Sequence, residues 1–173
     1  MPTSYQAPMR KDQAKSRSQS QSSETNLNSE LATVADVLGR KGGDVFSISP
    51  DETLHHAVEI LRDRHIGALM VTDETGALCG ILSERDIVRK LADTPGQTLP
   101  QRVGDVMTIE VVTCAKGDPL VSVLKQMTQG RFRHMPVVEN ASLLGMVTIG
   151  DVIGFRLNEL EHEALQLKQL IVG

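Results

Sequence analysis

Two segments of the chain pair a hydroxyl side chain with an aspartate three positions later. Ser83 precedes Asp86, Thr148 precedes Asp151, and a glycine stands three positions before each hydroxyl residue. Where such a residue ends a strand and opens a helix, unpaired backbone N–H groups and the helix dipole attract an anion. The aspartate then lies over the same helix start, where its carboxylate can accept hydrogen bonds from the vicinal hydroxyls of a ribose. The spacing therefore predicts a site for the sugar and phosphate of a nucleotide.

Helix capping alone would also explain this spacing. A Ser or Thr followed at the third position by an acid approximates a capping box, which contributes about 1 kcal/mol of helix stability and needs no ligand. Because the arrangement occurs twice, we expect a ribose-contacting role in addition to the cap.

Each motif closes a longer repeat. Residues 34–38 match residues 103–107, and residues 57–61 match residues 123–127. Apolar periodicity and turn residues predict the order strand, helix, strand, strand, helix in each copy, hence an α/β fold of two small mixed sheets packed as one domain. The predicted strands are 44–49, 66–72, 78–82, 111–114, 135–138 and 143–147, and the predicted helices are 54–64, 120–127 and one that Ser83 opens.

The composition predicts a globular unit with an aliphatic core. The 173 residues are 40% hydrophobic but only 2% aromatic, so a pocket must hold a planar ring with Ile, Val, Met and Leu. The formal net charge of −4 argues against a protein whose main ligand is a nucleic-acid backbone. Cys79 and Cys114 stand alone in apolar runs and are expected to be buried structural thiols.

The remaining composition bears on location. No apolar run reaches the roughly 18–20 residues that cross a bilayer, so no membrane association is expected. Residues 1–30 are rich in Ser and Gln with scattered basic residues, which predicts a disordered tail. A transit peptide would share the Arg and Ser richness, but no amphipathic apolar face is visible, and we expect a cytoplasmic protein.

The strands and motifs of both copies resemble tandem cystathionine-β-synthase (CBS) domains. The resemblance rests on residues 66–71, 80–86, 133–138 and 145–151 and covers roughly residues 32–157. It implies two repeats packed pseudo-symmetrically as a CBS pair, with clefts that bind adenosine nucleotides such as AMP, ADP, ATP or NAD, and no chemistry by the module itself. The predicted organisation is a tail over 1–30, repeats over 31–94 and 95–157, and a helical extension over 158–173.

A basic cluster precedes the strand predicted at 135–138. Arg131, Arg133 and His134 would neutralise phosphate in the cleft, whereas the alternative is a solvated loop whose Arg stems cover apolar surface. The matching positions of the first copy, 66–68, are small and uncharged and leave room for an adenine ring. Lys41 is a further phosphate candidate, unless it belongs only to a flexible Lys-Gly-Gly turn.

The positions predicted to contact the nucleotide therefore lie in both copies, and no metal ligands or catalytic group are predicted. Glu84 and Arg85, the free positions of the first motif, are expected to face solvent or a neighbouring subunit, and His55 and His56 to be exposed. The predicted nucleotide-binding residues are Lys41, Phe46, Ile66, Gly67, Ala68, Ile81, Ser83, Asp86, Val112, Phe132, Arg133, His134, Met146, Thr148 and Asp151.

The C-terminal segment carries a separate pattern. Apolar residues recur from Ile153 to Ile171 at alternating steps of four and three, the spacing of a coiled coil. A long amphipathic helix folded onto its own domain is the alternative, because the pattern falls short of the three or four heptads that would be decisive. Members of the family that this chain resembles commonly dimerise, so a homodimer is expected.

The function predicted from the sequence is a stand-alone cytoplasmic sensor that binds an adenine nucleotide and signals to an unidentified partner through a ligand-dependent change of conformation. An enzyme is not expected, because the catalytic barrel that accompanies such modules elsewhere needs about 200–250 residues. The remaining alternatives are a structural dimer with degenerate clefts and a nucleic-acid binder that uses its basic tail.

Overall fold

The computed structural model describes residues 32–172, so the predicted tail lies outside the described residues. The mixed α/β fold with a long C-terminal helix is confirmed. The helices are α1 (Val34–Lys41), α2 (Leu54–Arg64), α3 (Glu84–Asp93), α4 (Leu120–Gly130) and α5 (Ile149–Val172), with a 3-10 turn at Val103–Asp105. The strands are β1 (Ser47–Ile48), β2 (Ala68–Thr72), β3 (Leu78–Ser83), β4 (His134–Glu139) and β5 (Ser142–Thr148).

The first repeat forms a three-stranded sheet in the order β1, β2, β3. Strand β1 is parallel to β2, and β3 is antiparallel to it. Asp73 builds the turn between β2 and β3, because its Oδ1 accepts hydrogen bonds from the backbone N–H groups of Thr75 (2.9 Å) and Ala77 (3.0 Å). Gly76 completes the turn with φ +82°, a conformation that favours glycine.

The second repeat pairs only β4 with β5, so the prediction of a full strand over residues 111–114 is wrong. A single bridge joins Cys114 to Val137. In the first repeat the backbone N–H of Met70 donates to the carbonyl of Phe46 at 3.0 Å. The position that corresponds to Met70 is Pro136, which has no N–H to donate. The hydrogen-bond ladder of the second repeat therefore ends one bond earlier. In the first repeat, strand β1 is predicted over 44–49 but has only two residues.

Helices α2 and α4 end in the same way. His65 and Arg131 follow the helices with φ values of 54° and 55°, and their backbone N–H groups donate back into the last turn. This left-handed ending closes the helix and turns the chain into β2 or β4. The bounds of α2 agree with the prediction over 54–64.

Each hydrophobic core is completed by a segment that precedes the other repeat in sequence. Val34, Val37 and Leu38 of α1 are buried in the core built from α4, β4, β5 and the start of α5. Val103 and Met107, from the start of the second repeat, pack into the core of the first. The two repeats are therefore interlocked, and their predicted boundaries at 31–94 and 95–157 stay predictions.

The glycine of each motif permits this exchange. A Cβ atom at Gly80 would lie 2.5 Å from Met107 Sδ and 3.1 Å from the backbone oxygen of Thr108. A Cβ atom at Gly145 would lie 3.1 Å from Leu38 Cδ2. Because real Cβ atoms rarely approach so closely, a larger residue at either position would force the exchanged segment to shift.

Helix α5 begins on the second repeat and continues beyond it. Val152 and Phe155 are buried, and the guanidinium of Arg40 lies 4.2 Å from the Phe155 ring centroid. Leu157 and Leu160 are about half exposed, so the apolar stripe is not folded onto this chain's own domain. Among the helices of residues 32–172, none is long and apolar enough to cross a bilayer.

The two cysteines are free thiols without a disulfide between them. Cys114 is buried in the second core, and burial raises the pKa of its thiol to about 12. Cys79 is half-buried, and burial raises its thiol pKa as well. Both pKa shifts favour the protonated thiol, which suits packing rather than nucleophilic chemistry.

Gly80→Ala is expected to reduce the free energy of unfolding by about 1–3 kcal/mol, because the added methyl overlaps Met107 and Thr108. Chemical denaturation measures the effect. Gly154→Ala is the matched control: a Cβ there meets no atom within 4 Å, so the helix should gain up to about 1 kcal/mol. The loss of unfolding free energy caused by Gly80→Ala should be smaller in a Met107→Ala background. Equal losses in the two backgrounds would contradict the contact between Gly80 and Met107.

Candidate nucleotide site

A cleft of about 660 Å³ lies between the first motif and the second repeat. Its walls come from the end of β3 with the first turns of α3, from the segment that links the repeats, and from the chain between α4 and β4. The lining residues are Gly67, Ile81, Ser83, Glu84, Arg85, Asp86, Arg89, Thr108, Glu110, Val111, Val112, Gly130, Arg131, Phe132, Arg133 and His134. We call this space the first cleft.

Ser83 and Asp86 lie together at the start of α3. Asp86 Oδ2 accepts hydrogen bonds from the backbone N of Ser83 at 2.9 Å and from its hydroxyl at 2.5 Å. The pair therefore forms the capping box that its spacing predicts. Both hydrogen bonds end on Oδ2, so within residues 32–172 Oδ1 keeps its capacity to accept hydrogen bonds from a ligand.

The same box also occurs at residues that do not line the first cleft. At the start of α1, Asp36 Oδ2 accepts from the backbone N of Thr33 at 2.8 Å and from its hydroxyl at 2.9 Å. These hydrogen bonds lower the pKa of Asp36, the backbone one contributing most. Capping thus accounts for the local geometry at Asp86, and only its position on the cleft wall distinguishes it from Asp36.

Basic groups from both repeats converge on the first cleft. Arg85 Nη1 donates to the backbone oxygen of Arg131 at 2.7 Å, which ties α3 to the loop before β4. Arg89 and Arg133 line the same space. Glu84 and Arg85 are exposed, as predicted, but they face the cleft rather than only bulk solvent. Guanidinium groups in this arrangement suit phosphate oxygens.

His134 lies where the two repeats meet. A Cβ atom at Gly67 would be 3.3 Å from His134 Nε2, so the ring fits only because the facing residue is glycine. Burial is the main cause that lowers the pKa of His134, and Lys41 and Arg133 lower it further, while the carboxylates of Glu84 and Asp151 oppose them. The imidazole is therefore predominantly neutral at neutral pH.

At the second motif, Thr148 and Asp151, the carboxylate already pairs with a lysine. Asp151 Oδ2 accepts from the backbone N of Thr148 at 2.8 Å and lies 2.6 Å from Lys41 Nζ. Burial raises the pKa of Asp151, but the hydrogen bonds from Lys41 and Thr148 together outweigh burial, so its pKa lies below the usual value. Both contacts end on Oδ2, as they do at Asp86, so what distinguishes Asp151 is that Lys41 balances its negative charge.

The asymmetry has a structural cause. In the first cleft the backbone of Ile81 pairs with Thr108, whose N–H donates to the Ile81 carbonyl at 2.9 Å. Met146 occupies the corresponding position of the second motif, and its carbonyl accepts instead from Lys41 Nζ at 3.3 Å. At the second motif the Lys41 ammonium thus replaces a backbone donor, and its positive charge lies beside the Asp151 carboxylate.

The structure distributes the predicted residues over three places. The first cleft collects Gly67, Ile81, Ser83, Asp86, Val112, Phe132, Arg133 and His134. Lys41, Met146, Thr148 and Asp151 lie together at the second motif. Ala68 is fully buried in β2, and Phe46 and Ile66 pack against the first core, with the Arg64 guanidinium 5.6 Å from the Phe46 ring centroid.

The sequence interpretation did not include several cleft residues. Arg89 follows Arg85 by four positions on α3, a spacing that places both on one helix face and that the sequence contains. Thr108, Glu110 and Val111 belong to the segment between the repeats, and no pattern in the sequence assigns them to the cleft.

The family model of the CBS domain matches residues 34–93 and 103–158. The chain therefore belongs to the CBS domain family and contains two tandem copies. The mitochondrial CBS domain-containing protein CBSX3 of Arabidopsis thaliana is 34% identical over an alignment of 152 residues, and the match covers 83% of this chain and 74% of that protein. CBSCBSPB5 of the same plant is 34% identical over 114 residues, 65% of this chain but only 21% of that longer protein.

Solved structures show the same architecture. The CBS-domain containing protein ATU1752 from Agrobacterium tumefaciens has 42% identity and a TM-score of 0.71, over 72% of this chain and 99% of that one. The CBS domain pair of protein MJ0100, in complex with 5′-methylthioadenosine and S-adenosyl-L-methionine, has 25% identity and a TM-score of 0.66, over 75% of this chain and 98% of that one.

Lys41→Met is expected to raise the pKa of Asp151, because burial would then lack its main opposing hydrogen bond. Carboxyl-carbon NMR over a pH titration measures this pKa. Lys125→Met removes an exposed lysine on α4 and should leave the pKa of Asp151 unchanged. An unaltered titration of Asp151 in Lys41→Met would mean that the ion pair does not persist in solution.

Proposed function

We propose that this chain is a regulatory module that binds an adenosine-containing ligand in the first cleft, without chemistry of its own. The observation that carries the proposal is the convergence, in a space of about 660 Å³, of one ribose-competent carboxylate, an aliphatic wall and several cations. A volume of this size lies within the range of small-molecule sites, about 300–1,000 Å³. The family match supports a regulatory module, since CBS domains make up most of the chain.

The sugar and base would be held by different walls. Asp86 has a free acceptor oxygen for two vicinal hydroxyls, and these charge-assisted bonds are stronger than neutral ones. Ile81, Val111 and Val112 line the cleft with aliphatic surface, which is what a chain with so few aromatic residues can offer a planar ring. Gly67 permits the close approach of His134 at one edge.

The phosphates would be held by the second repeat. Arg131 and Arg133 bring guanidinium groups to the cleft, and Arg85 and Arg89 add two more from α3. The MJ0100 domain pair was solved with two adenosine-containing ligands that carry no phosphate, so it supports the adenosine part alone. A preference for phosphate-bearing ligands such as AMP, ATP or NAD would depend on these four arginines.

A second cleft, at Thr148 and Asp151, would bind the same class of ligand more weakly. The charge of its carboxylate, Asp151, is already balanced by Lys41, so a ribose hydroxyl would gain less from a charge-assisted hydrogen bond there than at Asp86. This observation favours the alternative of a degenerate cleft for the second repeat, but not for the first.

Three further properties remain predictions: a homodimer, a regulated partner protein and a cytoplasmic location. One relative that is 34% identical is described as mitochondrial, so fluorescence microscopy of the full chain in its own cells is the measurement that decides the location. A nucleic-acid role through residues 1–30 would require oligonucleotide binding that disappears when those residues are deleted.

Asp86→Ala is expected to weaken the binding of AMP, ATP or NAD about 10- to 100-fold, because hydrogen bonds to a charged group contribute about 1.5–3 kcal/mol. Isothermal titration calorimetry measures the affinity. Asp36→Ala is the matched control, since it removes an equivalent capping carboxylate outside the cleft. Both variants should lose about 1 kcal/mol of stability, but only Asp86→Ala should lose affinity.

Two other results would contradict the proposal. If no adenosine-containing ligand raises the melting temperature of the parent chain, the first cleft is not a nucleotide site. If Asp151→Ala weakens binding more than Asp86→Ala does, the ligand occupies the second cleft instead.

The affinity for a phosphate-bearing nucleotide is expected to rise as the pH falls from about 7.5 to about 6. Burial holds the pKa of His134 below about 6.5, so the free protein has a neutral ring. A bound phosphate would raise that pKa, and binding would then take up a proton, which becomes easier at lower pH. His134→Gln should remove this dependence.

Calorimetry of the parent and of His134→Gln over the same pH range separates the titration of His134 from that of the ligand phosphate. The phosphate titrates with both proteins, whereas only the parent has the histidine. Adenosine, which has no phosphate, should show no pH difference between them. Parallel pH profiles for the two proteins with every nucleotide would exclude His134 from phosphate binding.

A further inference from the structure

Helix α5 presents an apolar stripe to solvent. Leu157 is 55% exposed, Leu160 46% and Leu167 58%. The stripe follows the helix over residues 153–171, well beyond the part that packs on the second repeat. It consists of Ile153, Leu157, Leu160, Ala164, Leu167 and Ile171. So much exposed aliphatic surface in one line is typical of an interface.

The stripe and the packed side of α5 are different faces. Val152 and Phe155 are 2% and 8% exposed and point into this chain's own core. At 3.6 residues per turn, the centre of the stripe lies about 130° around the helix from these residues. The helix can therefore bind a second helix along the stripe while it remains attached to its own domain.

The spacing of the stripe fits a coiled coil. Steps of four and three assign Ile153, Leu160 and Leu167 to position d of a heptad, and Leu157, Ala164 and Ile171 to position a. An apolar seam with period 3.5 is what supercoiled helices bury.

The flanking charges determine the partner and its orientation. In this heptad Arg156 and Glu163 fall at position g, and Glu161 and Lys168 at position e. A parallel pair of identical helices places each g residue opposite the e residue five positions later on the other strand. Arg156 would then face Glu161 of the second copy, and Glu163 would face Lys168 of the second copy.

An antiparallel pair of the same helices has no such complementarity. Full overlap of the stripes puts the two-fold axis near His162, midway between Ile153 and Ile171. Glu161 would then lie opposite Glu161 of the second copy, and Glu163 opposite Glu163 of the second copy. Like charges that face each other across a coiled coil oppose pairing, so the flanking charges favour the parallel orientation.

We propose that α5 pairs in parallel with α5 of a second copy of this chain, as a coiled coil over residues 153–171. Within one chain Arg156 bonds Glu159 at 3.0 Å; such a surface pair contributes little and can exchange for the contact across the seam. Parallel pairing places both CBS pairs at the same end of the coiled coil. The proposal is independent of which ligand the clefts hold.

Sedimentation equilibrium of the full chain tests the seam. The parent should show a concentration-dependent equilibrium between monomer and dimer, because fewer than three heptads give a short coiled coil. Leu160→Glu should raise the dimer dissociation constant at least about 100-fold, since it buries a charge. Leu165→Glu is the matched control: Leu165 is 57% exposed on the same helix but lies off the stripe, and its dimer should persist.

Circular dichroism should show that both variants keep the folded domain. A dimer that survives Leu160→Glu overturns the proposal, and so does a parent chain that stays monomeric at every concentration.

The orientation is tested by charge reversal and by cross-linking. Glu163→Lys alone should weaken the dimer, and adding Lys168→Glu should restore it, because only the parallel pair joins these two positions across the seam. Leu167→Cys should form a disulfide-linked dimer under oxidation, since parallel strands bring the same d position together, whereas Leu165→Cys should not. Failure of the double reversal to restore the dimer, or cross-linking only through Leu165→Cys, refutes the parallel arrangement.

Discussion

The fold depends on one packing constraint, which is that neither repeat closes its core with its own residues. Leu38 of α1 packs against Gly145 in β5, and Met107 packs against Gly80 in β3. Each glycine therefore belongs to a motif whose strand must accept a side chain from the segment before the other repeat. Because the segments cross, the two units are held face to face, and the space left between the motif helices and the opposite repeat is the cleft. The exchange that stabilises the pair also creates its candidate binding site.

Pseudo-symmetry is broken by a few local differences. Pro136 stands where the first repeat has Met70, and the missing N–H reduces a strand to a single bridge. Lys41 takes the place of a backbone donor at the second motif and pairs with Asp151. The second change alters the charge at the second motif, because Lys41 pairs with Asp151, whereas within residues 32–172 no lysine or arginine forms a salt bridge with Asp86. The two motifs therefore differ in charge although they share one backbone pattern.

Three capping boxes of the same type separate stability from binding. The boxes at Thr33, Ser83 and Thr148 all use an aspartate three residues later to satisfy the N–H of the cap residue. A capping role is therefore common to all three and predicts nothing about a ligand. The box at Ser83 differs because the tertiary structure brings aliphatic side chains and guanidinium groups, several of them from the other repeat, close to it. The proposed site is therefore a helix cap that the fold places opposite cations.

The sequence by itself determined the repeat, the order of helices and strands, the extent of α2 and the apolar stripe of α5. These features follow from periodicity, turn residues and spacing, which act within short stretches of chain. The sequence also contained most residues of the first cleft, because strand ends and helix starts are local features. Only the tertiary structure decided that α1 completes the core of the other repeat, that Glu110 and Arg89 line the first cleft, and that Lys41 neutralises Asp151. Those outcomes depend on contacts between residues far apart in the chain, and a local pattern carries no information about which distant segment will supply the contact.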